Sequence, residues 1–428
     1  MTSRRMRACV AAVAAAVVWG AAVVGSAAPV DARRKVETLP AGFTDTVIAK
    51  LSRPVALAPT PDGRVLVVNQ SGIIRVIKNG KLLKAPALDI TSQVCATNSE
   101  RGMLGIAVDP NFSVNGFVYV YYTFKKFPKC KRDIANVPVN RVSRFTMVGD
   151  TMSAASEKIL IDGMLSFHGN HNAGDVGFGK DGMLYVSVGD GGCDYTVGLT
   201  ACDAADGISQ KLNNLQGKVL RITPGGGIPA GNPFTGAGTA RCNQGAVATG
   251  QKCQEIYLYG LRNPFRFAFD PNATATRLFV NDTGQDTWEE VDQAVQGANY
   301  GWNVREGPCA EGSTTDCGPP PPGMTNPVFS YPHSTGCEAI TGGAFVPDGL
   351  WGTKYDGGYL YSDYVCNEIV LIVPNGTGGW TSSAFATGLA VGGPIALRFA
   401  AHGTQTVLYY TTYTSDPKAG EVHVIAQT

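Results

Sequence analysis

The feature that most constrains the fold of this chain is a loosely repeated unit: a turn, a β-rich run, a polar turn and a second β-rich run. Its apolar residues alternate or form runs of strand length bounded by Gly, Pro, Asn and Asp. A small sheet built from one unit cannot bury both of its faces, so it is stable only when packed between neighbours around an axis. The repeat therefore predicts an all-β, six-bladed β-propeller of four-stranded antiparallel sheets. The copies begin at Pro59, Asp109, Phe178, Phe267, Gly349 and Arg398.

Two further segments indicate how such a ring closes. GFTDTVIAK from Gly42 is a lone strand before the first copy, and EVHVIAQT ends the chain. Pairing them in one blade would close the ring and cover the strand edges. Alternation alone does not distinguish sheet architectures, so two stacked β-sandwich domains are the alternative. No linker-like stretch divides the chain, which favours a single propeller domain over residues 29–428.

The first 28 residues have the order of a secretory signal peptide. Several arginines precede an apolar run from Ala8 to Val24, and small residues follow it. The run is short and ends in a cleavage-like patch, which is typical of a signal peptide rather than a membrane span. We expect cleavage near Ala27 or Ala28 and secretion to the extracellular or periplasmic space. No later stretch is apolar enough, for long enough, to cross a bilayer.

The chain has 11 cysteines, and removal of the signal peptide with Cys9 leaves an even number. Thiols in exported chains are normally oxidised, and no CxxC pair is present to indicate a zinc site. We therefore expect disulfides between neighbours in the sequence, with the last pair assigned by default. The expected pairs are Cys95–Cys130, Cys193–Cys202, Cys242–Cys253, Cys309–Cys317 and Cys337–Cys366.

Charge limits the class of partner. The net charge is +1 and charged residues make up only 16% of the chain. A basic field that would attract nucleic acid or an acidic membrane is therefore absent. We expect neither a nucleic-acid partner nor a membrane span, and a small neutral molecule as the ligand.

Five segments carry the candidate functional residues. They are ERGMLGIAVDPNF from Glu100, HNAGDVGFGKDGMLYVSVGDGG from His171, LNNLQGKVLRITPGGGIPAGNPF from Leu212, YLYGLRNPFRFAFDP from Tyr257 and TGQDTWEEVDQAVQGANYGW from Thr283. Together and in this order they resemble the glucose/sorbosone dehydrogenase family, strongly from about residue 100 to 302 and weakly after it. The characterised members of that family are quinoprotein propellers that use pyrroloquinoline quinone (PQQ).

The resemblance implies that His171 is a general base and that Asp190 orients it. A general base must be neutral at the working pH, and an imidazole meets this condition near neutrality. A carboxylate on one ring nitrogen would fix the tautomer and stabilise the imidazolium. Outside the family pattern, His171 would be a turn residue and Asp190 a loop cap. His168 also allows a two-histidine metal site, although the segment lacks helical character.

The resemblance further places Arg262 and Asn263 against the cofactor. The guanidinium stays protonated, so it can stabilise an oxyanion that develops on a quinone oxygen. An ordinary ion pair between blades is the alternative for Arg262. Gly284 and Gln285 match the position where the family offers two backbone carbonyls to a calcium ion that also binds the cofactor. The family usually has Gly-Pro there, so the turn is expected to be less rigid in this chain.

Two other matches and two departures concern metal binding and charge. Glu290 and Tyr300 match ligands of a second, structural calcium; an exposed acid and a packed aromatic residue are the alternative. Glu100 replaces a glutamine that contacts the cofactor, which would bring a negative charge near a tricarboxylate. The lysine and two arginines that glucose dehydrogenases supply near the C-terminus have no clear equivalents here, and Arg398 lies out of register.

These features lead to one functional hypothesis and two alternatives. The hypothesis is calcium-supported, PQQ-dependent oxidation of an aldose at its anomeric carbon to the lactone, with re-oxidation by a separate external electron acceptor. The first alternative is a non-catalytic secreted propeller that binds a carbohydrate or protein partner, because the C-terminal segments also resemble the hedgehog-interacting-protein-like branch. The second is a calcium-dependent lactonase. Fold alone does not decide among them.

Overall fold

Runs of Val, Ile, Tyr and Phe between turn residues form the strands of this protein, because branched and aromatic side chains pack well on a pleated surface. In the computed structural model the strands are joined mainly by turns, and α1 (Phe112–Asn115) is a helix of a single turn. Short 3₁₀ helices lie at Ala154–Ser156 and His333–Thr335. The structure describes residues 38–96, 100–127, 130, 137–166, 168–192, 207–389, 392–414, 416 and 418–428.

Six antiparallel sheets form the blades of a β-propeller, which confirms the predicted fold class. Four strands make up the body of each blade, and blades 1 and 2 carry additional short strands. Blade 1 contains β2 (Pro54–Pro59), β3 (Val65–Asn69), β4 (Ile73–Lys78), β5 (Lys81–Leu82) and β6 (Leu88–Asp89), and blade 2 contains β7 (Met103–Val108), β8 (Phe117–Phe124), β9 (Val139–Val148), β10 (Thr151–Met152) and β11 (Lys158–Leu165). Blade 3 contains β12 (Val176–Phe178), β13 (Leu184–Val188), β14 (Lys218–Ile222) and β17 (Ile256–Tyr259), and blade 4 contains β18 (Pro264–Phe269), β19 (Leu278–Asp282), β20 (Trp288–Gln293) and β23 (Phe329–Pro332). Blade 5 contains β24 (Ile340–Phe345), β25 (Tyr359–Asp363), β26 (Glu368–Pro374) and β27 (Trp380–Thr387), and blade 6 contains β28 (Gly393–His402), β29 (Gln405–Tyr413), β30 (Gly420–Gln427) and β1 (Phe43–Leu51).

The repeated sequence unit corresponds to one part of each blade. Every copy covers the connection between the first and second strands of its blade, for example from β2 to β3 and from β28 to β29. The first strands of neighbouring blades contact one another around the axis, except that blade 3 reaches β18 through β13. Apolar side chains fill the spaces between blades, as Leu66 of blade 1 and Val120 of blade 2 do in one continuous cluster.

The first and last strands of the chain close the ring. β1 pairs with β30 in antiparallel register from Phe43 opposite Gln427 to Leu51 opposite Gly420. A side-chain contact reinforces the pairing, because Nδ1 of buried His423 lies 3.0 Å from a carboxylate oxygen of Asp45. The predicted closure of the propeller by these two segments is confirmed.

Two small ribbons lie outside the blades, in the excursions that interrupt blades 3 and 4. They pair β15 (Thr239–Ala240) with β16 (Lys252–Cys253), and β21 (Arg305–Glu306) with β22 (Cys309–Ala310). Disulfides join Cys95 to Cys130, Cys242 to Cys253, Cys309 to Cys317, and Cys337 to Cys366, which confirms four of the expected pairs. The expected Cys193–Cys202 pair and the expected signal peptide lie outside the described residues.

Among the described residues, no helix has the length and apolar character needed to cross a membrane.

The contact between blades 2 and 3 leads to a stability prediction. A Cβ atom on Gly105 of β7 would lie 2.0 Å from the carbonyl oxygen of Gly174, just before β12. Because both groups belong to packed backbone, Gly105→Ala is expected to lower the free energy of unfolding by about 1–3 kcal/mol, the range for overpacked sites. Gly318→Ala is the matched control, since a Cβ there meets no atom within 4 Å. Equal denaturant midpoints for the two variants would contradict this close packing.

Candidate active site

The candidate residues converge because of strand direction. In an antiparallel blade, the start of the first strand and the end of the second lie at the same end of the sheet. The predicted catalytic and cofactor residues, together with Gly284 and Gln285, occupy these positions, so they meet at one face of the propeller; Glu290 lies in β20, and Tyr300 follows that strand. Glu100 precedes β7, His171 precedes β12, Asp190 follows β13, Arg262 and Asn263 precede β18, and Gly284 and Gln285 follow β19.

His171 and Asp190 form a buried pair. His171 Nδ1 lies 2.7 Å from Asp190 Oδ1, and the exposed fractions of the two residues are 4% and 1%. His171 has a φ of 49°, a conformation that is uncommon for a residue with a side chain. Its carbonyl oxygen accepts a 3.1 Å bond from the Gly191 N–H. The backbone on both sides therefore holds the imidazole against Asp190, as expected for a base and its orienting group.

Two further groups donate hydrogen bonds to Asp190. Oδ1 accepts a 2.8 Å bond from the Gly192 N–H, and Oδ2 accepts a 3.1 Å bond from the indole Nε1–H of Trp302. Burial opposes ionisation, but the charges of His171 and Arg262 and these hydrogen bonds outweigh it and lower the pKa of Asp190 below its ordinary value. The carboxylate is therefore ionised and fixed in orientation.

Arg262 and Asn263 are held by a second buried acid. Their backbone N–H groups donate to the two carboxylate oxygens of Asp282, at 2.9 and 2.6 Å. The Arg262 guanidinium donates to the Thr283 carbonyl at 3.0 Å and lies 5.5 Å from the centre of the Trp302 ring. Through its own carbonyl, Arg262 also accepts a 2.8 Å bond from the Asp190 N–H. Arg262 thus joins the His171 pair to the turn after β19.

Glu100 and Asn263 meet on the wall of a cavity of about 250 Å³. Asn263 Oδ1 accepts a bond from the Ala173 N–H, and its Nδ2 lies 3.4 Å from Glu100 Oε2. The rest of the wall is mainly apolar, a composition typical of small-molecule sites. The structure therefore brings Glu100 to the cavity, as the sequence predicts. The other lining residues are Val55, Gln70, Leu104, Ala173, Phe265, Arg266, Thr283, Ala339, Thr341, Tyr364, Ile395 and Tyr413.

The turn at Gly284 and Gln285 is held by Glu306. One oxygen of this carboxylate accepts bonds from four successive N–H groups, beginning with Gln285 at 2.7 Å and ending with Trp288 at 3.1 Å. Proline has no N–H, so the Gln285 bond replaces the stiffness that proline supplies in the family. The sequence suggested a less rigid turn because proline is absent, whereas the four bonds to Glu306 restrain it.

The same turn exposes possible metal ligands. With every N–H from Gln285 to Trp288 committed to Glu306, the carbonyl oxygens of Gly284 and Gln285 accept no hydrogen bond from any described residue. Backbone carbonyls are ordinary calcium ligands. The two residues therefore fit the role that the resemblance implies.

A separate group of acids surrounds Glu290. Carboxylate oxygens of Asp282, Glu290 and Asp292 all lie within 4.8 Å of one another, and all three residues are buried. Burial raises the pKa of each carboxyl group, and the neighbouring acids raise the pKa of Glu290 and Asp292 further. Asp292 is fully buried, yet neither of its oxygens has a hydrogen-bond partner. Such a set of hard oxygen atoms fits a divalent cation such as calcium.

The other candidate metal ligands, Tyr300, His168 and His171, are not part of this acidic group. The Tyr300 hydroxyl donates to the Gln293 carbonyl and accepts from the Val295 N–H, so this hydroxyl is already occupied. Among the described residues, no cluster of three potential metal ligands includes His168 or His171. The structure gives no support to the two-histidine alternative.

Sequence reasoning missed several residues that complete the site. Trp302 and Asp292 lie within the fifth family-like segment, but nothing in a single sequence distinguishes them from packing residues. Glu306 lies beyond that segment, in the excursion between β20 and β23. Its role depends on a fold-back onto Gln285 that no local pattern predicts.

Comparison with known proteins places this geometry in context. The family model "Glucose / Sorbosone dehydrogenase" matches residues 51–375. The HIPL2 protein of Arabidopsis thaliana is 29% identical over 354 residues, covering 70% of this chain and 47% of that protein. Quinoprotein glucose dehydrogenase B of Acinetobacter calcoaceticus is 27% identical over 266 residues, covering 60% of this chain and 51% of that protein. The chain thus spans about half the length of these relatives.

A solved structure agrees with the architecture. The PQQ-bound form of aldose sugar dehydrogenase from Streptomyces coelicolor superimposes with a TM-score of 0.64 at 24% identity, covering 91% of this chain and 99% of that one. At this identity the likeness establishes the fold. The family model matches most of the chain and includes the segments that carry the His171, Arg262 and Gly284 positions. This chain belongs to the glucose/sorbosone dehydrogenase family.

Proposed function

We propose that this protein oxidises an aldose at its anomeric carbon to the lactone, with PQQ as the cofactor. The observation that carries the proposal is the buried His171–Asp190 pair, whose neighbours Ala173 and Asn263 line the cavity. Membership of a sugar dehydrogenase family supports the reaction class. The similarity of the chain to quinoprotein glucose dehydrogenase B supports the cofactor.

His171 is the proton acceptor in this proposal. Its Nδ1 faces Asp190, so Nε2 is the atom that takes the proton from the anomeric hydroxyl. Ionised Asp190 keeps the proton of the neutral imidazole on Nδ1 and stabilises the imidazolium after transfer. Because Trp302 and Gly192 also donate to Asp190, the carboxylate does not rotate away from the ring during the reaction.

The cofactor has a fitting environment among the chain's own residues. Asn263 lines the apolar-walled cavity, and Arg262 lies next to it in the chain. When bound, PQQ supplies the acceptor for the two electrons that leave the sugar. The positive guanidinium of Arg262 favours negative charge that develops nearby. Re-oxidation requires a separate external acceptor.

Two calcium positions follow from the oxygen donors. The Gly284 and Gln285 carbonyls would hold the ion that accompanies the cofactor. The carboxylates of Asp282, Glu290 and Asp292 would hold a second, structural ion. Since Asp282 also accepts the backbone N–H groups of Arg262 and Asn263, an ion at the second position would stabilise the segment that faces the cavity.

A second candidate is a secreted propeller that binds a carbohydrate or protein partner without catalysis. The negative Glu100 on the cavity wall favours it, because this charge disfavours an anionic cofactor. The similarity of the chain to the hedgehog-interacting protein of Mus musculus points the same way. The disulfides and the expected signal peptide support secretion under either proposal. A calcium-dependent lactonase is less well supported, since none of the three clustered acids lines the cavity.

Substitution of His171 distinguishes the enzyme from the binding protein. His171→Gln is expected to lower turnover by about 100- to 10,000-fold, the usual contribution of a positioned acid–base group, while PQQ remains bound. His402→Gln is the control, because His402 bonds to Tyr409 in blade 6, outside the site. Turnover on a sugar panel is measured per bound PQQ, alongside a melting curve. An unchanged rate per bound PQQ in His171→Gln would rule out the proposed base.

The lowered pKa of Asp190 predicts a pH dependence of stability. The folded protein binds the Asp190 proton less readily than the unfolded chain, so the ionised carboxylate stabilises the fold above a pH of about 4. At pH 5 the free energy of unfolding of Asp190→Asn should therefore be about 1–3 kcal/mol lower than that of wild type, which is the cost of unpairing buried groups. This difference should shrink as the pH falls from 4 towards 2. A difference that stays constant over this range in urea titrations would contradict an ionised Asp190.

Calcium removal tests the acidic cluster. Saturating calcium should raise the free energy of unfolding by about 2.7 kcal/mol when its concentration is 100 times the dissociation constant. Asp292→Asn should lose most of this gain, and in chelator it should melt above wild type because it removes an uncompensated buried acid. The exposed Asp316→Asn is the control. Chelation should also abolish PQQ-dependent turnover, and added calcium should restore it. Identical melting of wild type with calcium and with chelator would refute the structural site.

A further inference from the structure

Arg266, on the first strand of blade 4, is a buried cation at the floor of the cavity. It is 2% exposed, and it lines the cavity together with its neighbour Phe265. Its guanidinium donates to the Phe265 and Val55 carbonyls, each at 2.7 Å, whereas its buried Nε–H has no acceptor. No carboxylate of the described residues lies within ion-pair distance of it.

The acids whose charges act on Arg266 are committed elsewhere. These acids are Asp175 and Glu100. Asp175 holds Arg398 with both oxygens, at 3.0 and 2.8 Å, and also accepts the Phe267 N–H. Glu100 accepts from the Asn172 N–H and lies near Asn263 Nδ2. Asp175 is therefore already paired with Arg398, and Arg266 has no carboxylate of its own at ion-pair distance among the described residues.

A buried charge without a counterion is costly unless a ligand supplies one. Burial lowers the pKa of Arg266 to about 10, so the group is still protonated at neutral pH. The planar guanidinium matches the two oxygens of a carboxylate. The surrounding wall is apolar and carries the rings of Phe265, Tyr364 and Tyr413, which suit a flat ligand.

We propose that Arg266 binds a carboxylate of a planar, carboxylate-bearing ligand in this cavity. The inference rests on the proposed function where that ligand is PQQ, and it identifies the basic group that the C-terminal segments lack. The cation comes from the floor of the cavity instead of from blades 5 and 6.

Binding to cofactor-free protein tests the proposal without relying on turnover. PQQ, its neutral trimethyl ester and benzene-1,3,5-tricarboxylate are titrated, with dissociation constants from equilibrium dialysis. Arg266→Gln should weaken binding of PQQ and of the tricarboxylate by about 10- to 100-fold, the range for hydrogen bonds to charged groups, and leave the ester unaffected. Arg266→Lys should recover part of the loss because it keeps the charge. Arg277→Gln is the control, since Arg277 pairs with Asp270 in the same blade.

The outcomes separate this inference from the proposed function. If PQQ binds wild type and a folded Arg266→Gln or Arg266→Lys variant equally well, the inference is overturned and the cofactor assignment stands. If PQQ does not bind but the tricarboxylate binds in an Arg266-dependent way, the inference stands and the cofactor assignment fails. Should neither carboxylate bind wild type, both are overturned. Melting curves of both Arg266 variants show whether a loss reflects unfolding.

Discussion

Closure of the ring by β1 and β30 is the constraint on which the rest of the structure depends. Each blade is too thin to bury both of its faces, so its stability comes from its two neighbours. Without the pairing that joins Phe43 to Gln427, blade 6 would lack its outer strand. The site draws its residues from the connections of blades 2, 3 and 4, so its geometry depends on how those blades are packed around the axis.

Within that frame, buried carboxylates organise the backbone of the site. Asp190, Asp282 and Glu306 each accept backbone N–H groups that belong to no strand ladder. A loop that turns in a buried position needs acceptors for such groups, and an acidic side chain supplies two oxygens at once. The same acids place Arg262, Asn263 and Gln285. The residues that shape the site and those proposed to perform its chemistry therefore belong to one hydrogen-bond network.

The distribution of charge separates three regions of this network. Asp190 is ionised because His171 and Arg262 face it, whereas Asp282, Glu290 and Asp292 are crowded together and resist ionisation. At the cavity, Asp175 is paired with Arg398, and Arg266 has no carboxylate at ion-pair distance among the described residues. Crowded buried acids in one place and a buried cation without a carboxylate at ion-pair distance in another are the pattern expected where a cation and an anion bind. The near-zero net charge of the chain conceals both.

The sequence by itself determined the blade architecture, the closing strands and the His171–Asp190 pairing, because these depend on local alternation, turn residues and continuous family-like segments. It also predicted that Arg262, Asn263 and Glu100 lie near one ligand; Asn263 and Glu100 line the cavity, whereas Arg262 is not among its lining residues. It did not identify Trp302, Glu306 or Asp292, and it suggested a loose turn at Gln285 where Glu306 holds a rigid one. Only the tertiary structure decided these points, since each depends on contacts between residues that are far apart in the chain. The unpaired state of Arg266 belongs to the same class: whether a buried charge has a partner depends on which blades surround it, and that is decided by the packing of the whole ring.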